Sequence, residues 1–123
     1  MKTGLIVFAH GSSVASANQA VEKVASDMAG AGGYETYETA FLDAAHPELK
    51  EAVARLVAKD VEKIVVLPYF LTLGIHLKRD LPRIVEELSL IHHGVEITVT
   101  EPLDGHPALK EILLDRARKA LGS

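Results

Sequence analysis

The sequence contains no cysteine and no tryptophan. The first absence rules out disulfides, thiolate zinc sites and iron–sulfur clusters, so any metal must be held by His, Asp, Glu or backbone oxygen. The second, with an aromatic fraction of only 5%, argues against a base-stacking surface. Basic charge is also scarce. Lys and Arg number 13 against 17 Asp and Glu, for a formal net charge of -4, where a nucleic-acid binder shows a basic excess or stripe. No apolar run reaches the roughly 20 residues of a membrane-spanning helix, and no signal-peptide pattern precedes the first strand-like segment. The expectation is a cytoplasmic protein with neither nucleic acid nor membrane as partner.

What is present is apolar residue in quantity, 48% of 123 positions, enough for one domain over residues 1–123 with a real core. Four β-branched apolar runs alternate with four helical patterns. The first run, Leu5-Ile6-Val7-Phe8-Ala9, is near-continuous, as in a strand buried on both faces. Tyr34 to Leu42 alternates and reads as a half-exposed edge strand. Lys63 to Phe70 is central in character, and Val95 to Thr100 is the fourth.

The intervening patterns read as helices. Ser12 or Ser13 is placed to cap the first, which turns Val21, Val24 and Met28 inward and ends at Gly30, Gly32 and Gly33. Pro47 fits the first turn of the second, with Leu49, Val53, Leu56 and Val57 buried. Pro82 lies near the start of the third, which buries Leu81, Ile84, Val85 and Leu88. The fourth follows Pro107 and buries Leu109, Ile112, Leu113 and Ala117.

Such alternation implies right-handed βαβ units: an α/β fold, a doubly wound four-stranded parallel sheet with helices on both faces. The expected strand order is 2-1-3-4, which opens a ligand crevice at the carboxyl ends of strands one and three. His10 ends the first of these strands and His76 follows the other. Imidazole is the commonest metal ligand and titrates near neutrality, so the pair suits metal binding or proton transfer.

Asp43 and Glu101 end the second and fourth strands. Asp43 either joins the rim as a ligand or orienting group, or is a loop or helix-capping carboxylate. The Gly11-Ser12-Ser13 turn offers backbone N–H groups to an anion at a helix start. Lys78 and Arg79 are cations beside His76. His46, His92 and His93 read as surface or loop residues, and His106 before Pro107 as structural.

Three blocks then carry a resemblance: Leu5-Ile6-Val7-Phe8-Ala9-His10-Gly11-Ser12, then Leu67-Pro68-Tyr69-Phe70-Leu71 with Gly74-Ile75-His76-Leu77-Lys78 and Asp80-Leu81-Pro82, then Glu101-Pro102-Leu103-Asp104-Gly105-His106-Pro107. Together they resemble the small class II tetrapyrrole chelatases, the short CbiX-type sirohydrochlorin cobalt, iron and nickel chelatases. The resemblance implies a chelatase lobe that works as a homodimer, with metal-handling histidines at His10 and His76. Some members carry a glutamate where this chain has Asp43. It also implies insertion of Co²⁺, Fe²⁺ or Ni²⁺ into sirohydrochlorin with release of two protons. The metal is a substrate, and no nucleotide motif is present, so the reaction is expected to be ATP-independent. Gly11, Ser12, Ser13, Lys78 and Arg79 are the candidates for holding the ring's carboxylates. Two other readings stay open: phosphoryl transfer of the histidine-phosphatase kind, against which Ala9 stands where an Arg would precede the histidine, and a non-enzymatic metal carrier.

Overall fold

The computed structural model describes residues 1–122. Strands β1 (Thr3–Ala9), β2 (Tyr37–Phe41), β3 (Lys63–Pro68) and β4 (Glu96–Val99) alternate with helices α1 (Ala15–Gly32), α2 (Leu49–Val57), α3 (Ile75–Ile91) and α4 (Ala108–Leu121). All three strand pairs are parallel and the order is β2-β1-β3-β4, as the alternation of patterns predicts. No helix among the described residues is long and apolar enough to cross a membrane.

Period-2 side-chain alternation gives each sheet face its own set of residues. Ile6, Phe8, Ile64 and Val66 meet Leu49, Ala52, Val53 and Leu56 of α2 and Leu81 and Leu88 of α3 in one continuous core. Full burial of a side chain such as Leu56 stabilises the fold by roughly 1.5–3 kcal/mol. Gly4 lets β1 start tight against α2, because a Cβ there would sit 3.0 Å from the Leu56 side chain. On the opposite face, α1 covers β1 and β2 with the small residues Ala25 and Ala29.

The first three helices depart from the sequence reading in four places. Neither Ser12 nor Ser13 caps α1: Val14 is the N-cap and makes no side-chain capping bond, because Ser12 Oγ accepts the Val14 N–H in a separate turn. Val24 is exposed, since alanines at 25 and 29 bring α1 close enough to the sheet to turn Val24 aside. Pro47 lies just before the α2 N-cap, Glu48, whose side chain forms a reciprocal capping box with Glu51. Pro82 lies inside α3 rather than at its start, because the helix begins at Ile75 with Gly74 as N-cap.

The largest departure is α4. No residue of this helix is buried: Ile112 and Leu113 are 50% and 70% exposed, and Leu109 is only half-buried. The preceding loop sets its course. Leu103 and Asp104 donate backbone N–H bonds to Phe70 and Leu71 carbonyls, 2.9 Å each, tying the root of α4 to the β3–α3 loop. His106 has the structural place expected of it, its Nδ1 accepting the Ala108 N–H at the first residue of α4.

Candidate functional site

β1 is flanked by β2 on one side and β3 on the other, so its carboxyl end is where the sheet order reverses. His10 is the first residue past that end. Its carbonyl accepts the Asp43 N–H at 2.9 Å, and the Ala9 carbonyl accepts the Leu42 N–H at 2.9 Å, so the β2–α2 loop is laced to the His10 backbone. On the other side the Phe8 carbonyl accepts the Tyr69 N–H at 2.7 Å and aligns the β3–α3 loop. Phe70 in that loop stacks obliquely on Phe8, with ring centroids 5.8 Å apart, and meets the His10 imidazole edge-on at 6.5 Å. A half-buried aromatic, itself backed by the buried Phe8, thus supports one flank of an exposed imidazole.

His76 is the second residue of α3. It and His10 line one cavity of about 360 Å³ with Leu42, Phe70, Leu77 and Ile84. The cavity is chiefly apolar, and its ionisable members are His10, His76 and Asp80. Asp80 was not singled out from the sequence. The signal was there: it lies four residues after His76, and on a helix that spacing puts two side chains on one face.

The Arg79 guanidinium joins the two. Its Nε donates to Asp80 Oδ1 at 3.0 Å, and Nη2 makes a long 3.4 Å contact with His76 Nδ1. Arg83 Nη2 stands 3.5 Å from the same Asp80 oxygen. The hydrogen bond from Arg79 holds the Asp80 carboxyl below the usual carboxylate range, and the charges of Arg79, Arg83 and His76 add to the effect. The carboxylate in turn raises the Arg79 pKa, first through that hydrogen bond and then through its charge. One wall of the cavity therefore carries a fixed anion beside an imidazole.

The other sequence candidates fall around this centre. Asp43 lies outside the cavity lining, and its Oδ1 accepts the Ala44 N–H within its own loop. No group of three or more His, Asp or Glu side chains is clustered for a metal among the described residues. Gly11 and Ser12 are half-buried and Ser13 is exposed, two or more residues ahead of α1 rather than on its first turn. The Ser12 N–H is already donated to Asn18 Oδ1 at 3.0 Å. Lys78 faces a neighbouring groove of about 570 Å³ between α3 and the end of β4, with Leu73, Val85, Val99 and Pro102. Around the histidine cavity, Leu42, Leu71 and Ile75 are exposed apolar side chains, Ile75 to 85%.

Comparison with known proteins agrees with the fold. A sirohydrochlorin cobaltochelatase from Methanopyrus kandleri is 34% identical over 138 residues, covering 96% of both chains. A crystal structure of a cobalamin (vitamin B12) biosynthesis CbiX protein from Marinobacter aquaeolei VT8 superposes with a TM-score of 0.84 at 33% identity, covering 98% of each chain. The sirohydrochlorin chelatase SirB from Bacillus subtilis subspecies spizizenii, solved with cobalt, shares the fold at a TM-score of 0.81 and 21% identity. This chain matches 51% of that longer one. The CbiX family model matches residues 4–120, and the chain belongs to the CbiX family.

Proposed function

We propose that this protein is a sirohydrochlorin chelatase, a lyase-class enzyme that inserts a divalent metal, Co²⁺ first among Co²⁺, Fe²⁺ and Ni²⁺, into the free-base tetrapyrrole. The observation that carries the reading is the meeting of His10 and His76 on one apolar cavity at the switch point of a CbiX fold. The free-base ring has two pyrrole N–H protons, so insertion of M²⁺ releases two H⁺ and leaves the macrocycle's charge unchanged. Neutral imidazoles bind these borderline metals while still allowing transfer to ring nitrogen, and a second imidazole serves as proton acceptor. Asp80, kept ionised by Arg79, offers negative charge to the incoming cation or the departing protons.

The exposed apolar rim at Leu42, Leu71 and Ile75 suits the face of a large flat ring. The cavity itself is near the low end of the ~300–1,000 Å³ usual for small-molecule pockets. It encloses only part of a macrocycle, and that favours a homodimer in which a second copy covers the rest. The working unit is a single domain over residues 1–123, active in the cytoplasm on a small-molecule substrate. Incubation with sirohydrochlorin and each metal in turn, followed by absorption spectroscopy, tests the activity. Metal- and enzyme-dependent spectral conversion is expected. Tight metal binding without conversion would leave a carrier instead.

The substrate's carboxylates call for cations in an otherwise acidic protein. Lys78→Ala is expected to raise KM several-fold with kcat little changed, since a grip on the ring's periphery acts equally in ground and transition states. The effect should fade at high salt. Arg79→Ala is expected to change kcat as well, because Arg79 also touches His76 and Asp80. Steady-state kinetics of both variants at low and high ionic strength separate the two roles. A KM indifferent to Lys78→Ala and to salt would move the carboxylate grip to Gly11, Ser12 and Ser13.

A further inference from the structure

The first two turns of α3 join an imidazole, a guanidinium and a carboxylate in one chain of contacts. Arg79 Nε donates to Asp80 Oδ1 at 3.0 Å, and Nη2 of the same guanidinium stands 3.4 Å from His76 Nδ1. A cation thus rests against the nitrogen of an imidazole that is to receive another cation.

The chemistry of the two groups fixes the sense of that contact. A guanidinium carries N–H donors and no acceptor. His76 Nδ1 is therefore the acceptor, and a neutral ring that accepts at Nδ1 carries its one proton on Nε2. Such a ring has a single lone pair in its plane, and Arg79 covers it. Each route to a metal then requires the contact to open. A metal at Nδ1 takes the same lone pair. A metal at Nε2 needs the proton moved to Nδ1, and an Nδ1–H cannot face a guanidinium N–H. A divalent ion also brings two positive charges to a place where Arg79 already supplies one, and like charges repel.

Asp80 allows the contact to open without loss of the arginine. It holds Arg79 through Nε, so the Nη2 end can swing off the imidazole while the side chain keeps its anchor. The Arg79 side chain is 69% exposed, and water meets the freed N–H groups. Arg83 approaches the same Asp80 oxygen at 3.5 Å, but among the described residues it makes no hydrogen bond to His76.

We propose that Arg79 is a displaceable cap on His76. It occupies the imidazole lone pair in the metal-free protein and is driven off by the incoming divalent ion. This rests on the reading of His76 as a metal ligand and adds what limits its grip. A site closed about nine-tenths of the time loses about ten-fold in apparent affinity, which keeps the metal loose enough to be handed on.

The test uses the metal-free full chain and Co²⁺ alone. No tetrapyrrole is present, so the result is independent of chelatase turnover. Titration followed by cobalt d–d absorption should show Arg79→Ala binding Co²⁺ on the order of 10-fold more tightly than wild type. Arg83→Ala removes a positive charge from the same carboxylate and leaves His76 capped, so it should tighten binding by no more than ~2–3-fold. Both arginine side chains are largely exposed, and circular dichroism should be unchanged. A second readout needs no metal. Long-range proton–nitrogen NMR spectra at ~pH 8.5, where an ordinary imidazole is neutral, should show His76 as the Nε2–H tautomer in wild type and as a mixture with Nδ1–H in Arg79→Ala. Loss of the signals in His76→Gln identifies them. Cobalt affinity unchanged or weakened in Arg79→Ala, or raised equally in Arg83→Ala, would overturn the cap. An Nδ1–H tautomer in wild type would overturn it as well. A failed sirohydrochlorin assay beside the expected cobalt and NMR results would remove the chelatase reading and uphold the cap.

Discussion

His10→Ala and His76→Ala are each expected to lower sirohydrochlorin turnover by ~10²–10⁴-fold, the loss typical of a positioned acid–base group. Stability should barely change. Both side chains are exposed, and substitutions at exposed positions away from caps and cores stay within about 0.5 kcal/mol. The edge contact of the His10 ring with Phe70 is its one notable packing interaction. On the proposed reading the two histidines serve the same metal and the same ring, so the double variant should lose far less than the product of the single losses. Steady-state rates and thermal melts on the three variants provide the check. Turnover close to wild type in both single variants would remove the histidines from the mechanism.

Gly11→Ala is expected to be nearly as damaging without touching either imidazole. Gly11 has φ of +92°, a conformation that side chains rarely adopt, and a Cβ there would overlap the Asp43 carbonyl oxygen and crowd Phe41. The β2–α2 loop would have to retreat, although the Asp43 N–H is the group that holds the His10 carbonyl. The cost of backbone strain of this kind is about 1–3 kcal/mol, and displacing a reacting group by about 1 Å costs on the order of 10²-fold in rate. A lower melting temperature together with a fall in kcat is the expected result. Gly11→Ala with wild-type melting and wild-type kcat would show that the loop has slack and does not set the position of His10.

Much of the architecture is legible in the residues. The unbroken run of β1 and the alternation of β2 distinguish a central strand from an edge strand, and with four helical patterns they suffice for the order β2-β1-β3-β4. That order is what brings His10 and His76 to one cavity across more than sixty residues of chain. The start of α3 is less legible. Pro82 is a strong helix-start signal, but Gly74 as N-cap starts the helix seven residues before it, and α3 continues through a residue with no N–H to give to the Lys78 carbonyl. With the first turn of α3 in view, His76 and Asp80 become neighbours on one face. Without it, Asp80 is one more carboxylate in a loop.

The fourth helix shows another limit. Its apolar stripe leads to the expectation of a buried face, and the structure leaves that face exposed, because periodicity reports an amphipathic helix and not where the helix points. Only the hydrogen bonds of Leu103 and Asp104, made between loops distant in sequence, decide where α4 points.

Those bonds have a thermodynamic corollary. Phe70 gives its carbonyl to Leu103 at the root of α4 and its ring to the flank of His10. One residue is therefore shared by the root of the C-terminal helix and the imidazole of His10. Whatever immobilises α4 also steadies the aromatic wall behind His10, and linkage is reciprocal for binding free energies. A ligand that orders that wall and any event that orders α4 would therefore favour one another by the same factor. Occupancy of the cavity and order in the C-terminal helix would then be coupled, with Phe70 as the joint.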